Sequence, residues 1–117
     1  DICSRFHFLG AIRNVEQYLQ KCTVGILCST AKYSEGISNS VLEYMAAGVI
    51  AIVTNTGAIV EIIKNNENGF FVNLEDQAEI VRLTEVIKKD ENLRRRITEK
   101  AKETIKEKFN YKKNIEK

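Results

Sequence analysis

The 117-residue sequence has no proline and no tryptophan, one histidine and only three cysteines. A lone His7 offers no second imidazole for a metal centre, and Cys3, Cys22 and Cys28 are odd in number with no C-x-x-C spacing. Neither a disulfide framework nor a zinc site is expected, and a reducing, cytosolic setting fits best. No stretch approaches the roughly 20 uncharged apolar residues that cross a bilayer. The opening Asp1-Ile2-Cys3-Ser4-Arg5 shows no basic stretch leading into an apolar one. Charge of one sign is also scarce: 18 Lys and Arg against 16 Asp and Glu leave +2, with no like-charge run of the kind that forms a nucleic-acid arm. Nothing in the sequence explains the absence of proline.

What is present is a chain that is 44% hydrophobic and 29% charged, enough for one domain with a core but hardly for two. The run Arg5-Phe6-His7-Phe8-Leu9, closed by Gly10, reads as a strand, followed by a short helix that Asn14 caps with Gln17 in the reciprocal position. Val24-Gly25-Ile26-Leu27-Cys28 and Val49-Ile50-Ala51-Ile52-Val53 are apolar without alternation, the signature of strands covered on both faces. A helix over 40–47 stops at Gly48, a short helix spans 59–63, and Phe70-Phe71-Val72 forms a last strand after a loop at 65–69. Strands alternating with helices imply βαβ units: an α/β fold, a Rossmann-like parallel sheet with helices on both faces. Two helices close the chain, one capped by Asp76 with Glu79 reaching back, the other over 92–109 with Leu93, Ile97, Ala101 and Ile105 as a narrow apolar stripe. With a strand so soon after Asp1 and no starting Met, the sequence is expected to be a partial domain, an excised piece of a longer protein.

Chemistry is expected between Ser34 and Gly48, where a loop leads from a buried strand into a helix. Ligands of open parallel sheets collect outside the carboxyl ends of the strands, and a helix N-terminus presents amides and partial positive charge to phosphate oxygens. Gly36 and the run Ser38-Asn39-Ser40 leave room for such a ligand. Two carboxylates flank the turn, Glu35 and Glu43, with seven residues between them; a carboxylate suits the vicinal hydroxyls of a sugar. The spacing Ser40-x-x-Glu43 is equally that of a capping box, in which Glu43 serves only the helix, and both readings stand on spacing alone.

The ordered set Phe8-Leu9-Gly10, Glu35-Gly36-Ile37-Ser38-Asn39-Ser40-Val41-Leu42-Glu43-Tyr44-Met45-Ala46-Ala47-Gly48, Thr54-Asn55-Thr56-Gly57, Glu61, Asn68-Gly69-Phe70-Phe71-Val72 and Phe109-Asn110-Tyr111 resembles the C-terminal, donor-binding half of the retaining group 1 glycosyltransferases of GT-B fold. The resemblance covers nearly the whole chain and implies that residues 1–117 are part of a nucleotide-sugar-binding domain. It implies Glu35 at the donor sugar as the catalytic-site acid, Glu43 on the ribose, and Gly36, Ile37, Ser38 and Asn39 along sugar and diphosphate. Leu9, Gly10 and Ile12 match the segment that holds the nucleotide base. No metal or other cofactor is implied, since a helix N-terminus and basic side chains can carry the diphosphate charge. Two departures accompany it: Ile50 stands where the family usually has Pro, and the family's basic Arg and Lys pair would precede Asp1, as would the acceptor-binding N-terminal domain. The resemblance favours bacterial polysaccharide or lipopolysaccharide synthesis. The competing function is a non-catalytic nucleotide-sugar-binding or interaction module of the same fold.

The remaining candidates read as structural. His7 reads as a strand residue and Cys28 as a small buried apolar one, while Glu61 is either a surface acid or a brace for the site. Residues 88–117 carry 12 basic and 6 acidic side chains. They read as a solvated face with pairs such as Glu99 with Lys102 and Glu103 with Lys106. The sharper alternative sets Lys88, Lys89, Arg94, Arg95 and Arg96 against an anionic membrane surface, which would make a cytoplasmic protein peripheral to the membrane. Thiol counting in denaturant on freshly purified protein is expected to return all three thiols free, with no stoichiometric zinc by elemental analysis; fewer thiols or bound zinc overturns the reducing setting.

Overall fold

The computed structural model describes residues 5–10, 13–28, 39–55, 57–73 and 75–116. Their elements follow in the order α1 (Val15–Leu19), β1 (Val24–Leu27), α2 (Asn39–Ala47), β2 (Ile50–Thr54), a 3-10 helix (Gly57–Glu61), β3 (Phe70–Val72), α3 (Gln77–Lys89) and α4 (Glu91–Glu116). The three strands are all parallel in the order β1-β2-β3, with Ile26 opposite Ile52 and Val53 opposite Phe71. This is the α/β arrangement expected from the apolar runs.

Every residue of β2 is buried, because the strand is central and covered on both faces. Alternate side chains therefore enter two separate cores. Ala51 and Val53 meet Val41 and Met45 of α2, Ile59, Ile62 and Ile63 from the 3-10 region, and Ala101 and Ile105 of α4. Ile50 and Ile52 meet Phe70 and Val72 of β3, Leu83 and Ile87 of α3, and Ile97 of α4. The stripe read from the spacing of four is thus buried at Ile97, Ala101 and Ile105 and half-buried at Leu93, and it feeds both cores from one helix. Asp76 caps α3 through the Glu79 amide at 3.1 Å, and Asp90 caps α4 through the Leu93 amide at 3.0 Å.

Several expectations are corrected. Residues 5–9 are not a strand: among the described residues they pair with no sheet edge, and Phe6, Phe8 and Leu9 are exposed. Alternating apolar residues make a strand only where a neighbour accepts their backbone hydrogen bonds, so His7 is an exposed loop residue. Asn14 heads α1 without a side-chain cap bond, and the backbone N–H of Gln17 donates to the Asn14 carbonyl at 3.2 Å. Glu79 does not reach back to Asp76; it binds Arg82 at 2.6 and 2.9 Å, and that charge-assisted bond holds its carboxyl below the usual range. Glu103 pairs with Lys100 at 3.9 Å rather than with Lys106.

The basic cluster is largely engaged within the fold. Arg94 donates to the carbonyls of Ile87 and Lys88, both at 2.7 Å, closing the end of α3. Arg96 donates to the carbonyl of Asn66 at 2.7 Å, and Arg95 pairs with Glu91 at 3.6 Å. Among the described residues no helix is long and apolar enough to cross a membrane.

Replacing Ile52 with Ala is expected to cost about 2–5 kcal/mol, since both the transferred methylene groups and a cavity count against it. The half-exposed Val60→Ala should change stability by less than about 0.5 kcal/mol, and urea melts of the two variants check the contrast.

Candidate functional site

The segment joining β1 to α2 carries most of the anticipated site. Glu35, Gly36, Ile37 and Ser38 lie outside the described residues, as does Ile12. What is described is the platform that delivers them: the carboxyl end of a parallel strand and the first turn of the helix that follows.

The platform is anchored through one face of α2. Val41 and Met45, one turn apart, are fully buried, whereas Glu43 and Ala46 face solvent. Asn39 opens α2 and so stands in its first turn, where backbone amides point out of the helix end. α2 includes both Asn39 and Ser40 in its first turn. Among the described residues, Glu43 has no hydrogen-bond or ion-pair partner. It is an exposed acid close to the helix entrance, about one turn from the free amides.

Close packing against β1 fixes the position of this acid. The ring of Tyr44 lies so near Gly25 that a Cβ there would stand 2.7 Å from two ring carbons. Any other residue at 25 would push the ring, and with it α2, away from the strand. Sequence reasoning did not reach this contact, although a glycine inside an otherwise apolar strand signals a close approach. Tyr44 is half-buried, and desolvation raises its phenol above the ordinary range, with Cys22 and the Glu43 carboxylate adding to the effect. At the other end, Gly48 turns the chain in the left-handed region (φ 80°), where a side chain would also crowd Lys102.

The other candidates are more open. Leu9 is half-exposed, and Gly10 has a left-handed φ of 67° with nothing within 4 Å of a notional Cβ. Cys28 is exposed, which corrects its expected burial: it follows the last residue of β1, beyond the reach of the core. Cys22 is exposed too and donates its thiol to the Tyr18 carbonyl at 3.2 Å. Glu61 ends the 3-10 helix and lines a groove of about 300 Å³ with Lys64, Lys100 and Glu103, on the α4 side of the molecule. Among the described residues no cluster of three His, Cys, Asp or Glu is placed to hold a metal ion.

A second polar feature also escaped sequence reasoning. Asn68 is buried, accepts from the Lys64 amide at 2.7 Å, and donates to the Ile62 carbonyl at 2.9 Å and to Thr104 Oγ1 at 3.2 Å. It ties the loop before β3 to α4, and a satisfied buried amide of this kind leaves no distinctive spacing in a sequence.

Comparison with known proteins gives a consistent family. The family described as glycosyl transferases group 1 matches residues 2–104. The N,N'-diacetylbacillosaminyl-diphospho-undecaprenol alpha-1,3-N-acetylgalactosaminyltransferase of Campylobacter jejuni is 30% identical over 95 residues, covering 81% of this chain and 24% of the relative. The chain spans about a quarter of the length of the curated relatives it matches. Among solved structures, the C-terminal domain of a group 1 glycosyl transferase family protein (LpcC) from Francisella tularensis superimposes with a TM-score of 0.69 at 25% identity, over 89% of this chain and 52% of that one. Anabaena HepE, solved in complex with UDP-glucose, superimposes with a TM-score of 0.74 at 19% identity, over 86% of this chain and 27% of that one.

The raised phenol of Tyr44 gives a pH test. A neutral group whose folded pKa lies above its unfolded value contributes stability that is full below about pH 10 and lost as pH rises beyond it. Denaturant melts between pH 9 and 11 should therefore show a decline that is smaller in Tyr44→Phe, and Tyr44 should ionise only at higher pH than a free phenol in a phenolate absorbance titration.

Proposed function

The chain belongs to the group 1 glycosyl transferases, and from that premise we propose that it forms the donor-binding part of an enzyme that transfers a sugar from a nucleotide-activated donor to an acceptor. The observation that carries this reading is the exposed, unpaired Glu43 one turn into α2, at the carboxyl end of a parallel strand, within the span that the family matches. A cap or ion-pair role would have engaged the side chain; a sugar diol is a ligand suited to an acid left open beside free helix amides.

In this reading Glu43 binds the ribose hydroxyls, and Gly36, Ile37, Ser38 and Asn39 run along the sugar and diphosphate. Glu35 positions the transferred sugar, and Leu9, Gly10 and Ile12 face the base. The amides at the start of α2 stabilise negative charge as the nucleoside diphosphate departs, which is electrostatic and positioning work and requires no metal. Reaction proceeds with retention at the anomeric carbon. The acceptor is held by a further domain, and this chain alone is inactive. The Campylobacter relative, whose name specifies a diphospho-undecaprenol acceptor, supports a role in bacterial glycan assembly. The exposed free cysteines Cys22 and Cys28 agree with a cytoplasmic setting, with any membrane contact peripheral.

Titration of the protein with uridine and guanosine diphosphate sugars tests the reading. Glu43→Gln keeps the shape but loses the charge-assisted contact and should weaken binding by about 1.5–3 kcal/mol, with little change in melting temperature. Unchanged affinity with a melting temperature several degrees lower would assign Glu43 to the helix instead. Where the 117-residue chain alone binds too weakly to titrate, the same variant is compared in the longer gene product by release of nucleoside diphosphate.

A further inference from the structure

Gly69 has no room for a side chain. It is buried just ahead of β3, and a Cβ there would stand 3.0 Å from Ile63 Cδ1 and 3.2 Å from the carbonyl oxygen of Ala51, a backbone atom of the central strand. The residue before it is fixed as narrowly. Asn68 must accept from the Lys64 N–H at 2.7 Å and donate to the Ile62 carbonyl at 2.9 Å and to Thr104 Oγ1 at 3.2 Å, all at 3% exposure. An aspartate at 68 has no hydrogen to give either acceptor, so only a carboxamide meets all three demands. Two independent packing requirements therefore set asparagine directly before glycine, a pair that occurs once in the sequence.

Asparagine before glycine is chemically labile, because a following residue without a Cβ lets its backbone nitrogen reach the side-chain carbonyl carbon. In that reaction the Gly69 nitrogen bonds to Asn68 Cγ, the Cγ–Nδ2 bond breaks, and the amide proton leaves with the side-chain nitrogen as ammonia. One water then opens the cyclic imide to aspartate or isoaspartate, with no oxidation or reduction. The fold opposes each step. Both ends of the Asn68 carboxamide are hydrogen-bonded, and Gly69 is held by its bridge to Asn65 and by the Asn66 N–H on its carbonyl at 2.8 Å. We propose that Asn68-Gly69 is a masked deamidation site, silent while Asn68 ties the loop before β3 to Thr104 of α4, and that its conversion once the tie opens releases that loop irreversibly. The tie is placed to open, since Asn68 and the half-buried Thr104 border the groove of about 300 Å³ beside α4, which water reaches. The product cannot retake the place. A carboxylate has no N–H for the Ile62 carbonyl, and it would be a buried charge beside a groove that four glutamates line against three lysines. Isoaspartate adds a backbone carbon ahead of Gly69, where Ile63 and Ala51 leave no space.

Peptide mapping by mass spectrometry, after incubation of the protein in mildly alkaline buffer, reads deamidation at Asn68 directly. A synthetic peptide of residues 64–73 serves as the unfolded reference, and the protein should react at least about tenfold more slowly than the peptide. Thr104→Val removes the hydroxyl partner at nearly constant shape and should raise the rate in the protein about three- to tenfold, the effect of one lost neutral hydrogen bond on the opening equilibrium. Thr104→Ser, which keeps the hydroxyl, should match the parent. Thr98→Val removes the same kind of hydroxyl bond, to the Arg94 carbonyl of α4, away from Asn68 and should leave the rate unchanged. Asn68→Asp makes one product directly and should melt several degrees below the parent or fail to fold. Four outcomes overturn the proposal: a protein that deamidates as fast as the peptide; indifference to Thr104→Val; equal acceleration by Thr98→Val, which makes the rate a measure of general loosening of α4; or an Asn68→Asp variant that melts with the parent.

Discussion

Burial of β2 on both faces is the constraint on which the rest of the molecule depends. A five-residue strand with no polar position except its last must be covered twice, and the alternation of its side chains divides the interior into two cores. α2 and the 3-10 helix exist as packed elements because Ala51 and Val53 need a cover, and α3 because Ile50 and Ile52 need another. α4 serves both, with Ile97 in one core and Ala101 and Ile105 in the other. Its long polar face can therefore remain in water while three small contacts per few turns hold it down.

The same constraint positions the candidate site. α2 can present Glu43 to solvent because Val41 and Met45, on the opposite face, are locked into the first core. Tyr44 sets the height of the helix over β1 through its contact with Gly25. The polar bonds are secondary but directional. Asn68 fixes the loop before β3 to α4, Arg94 closes α3, and Arg96 holds the Asn66 turn, so much of the positive charge in residues 88–117 is spent on backbone carbonyls. A basic composition read without coordinates looks like an external surface; here three consecutive arginines work mainly within the chain.

The fold was legible where apolar pattern and caps agreed. Continuous β-branched runs gave β1 and β2, Gly48 ended α2, Asp76 opened α3, and the spacing of four in α4 marked its buried stripe. It was misread where a local pattern depends on a distant partner. Phe6, His7 and Phe8 alternate like a strand, but among the described residues no edge receives them; Glu79 has the position of a capping residue but meets a stronger partner in Arg82; Cys28 continues an apolar run one residue past the point where the core ends. The candidate site was read as a pair of acids flanking a small-residue turn, of which only Glu43 falls among the described residues. Its contact environment, the Tyr44 phenol and the Gly25 seat beneath it, was not.

The sequence by itself determined the α/β class, the parallel sense of the strands, the helix ends set by Asp76 and Gly48, and the family. These follow from periodicity, from single-residue backbone preferences and from ordered motifs, all of which are local in the chain. Tertiary structure alone decided that α4 bridges two cores, that Gly25 must be glycine to admit Tyr44, and that Asn68 and the arginines are internal ties. Each of these depends on which surfaces meet across many residues of separation, and no local pattern of side chains encodes that meeting.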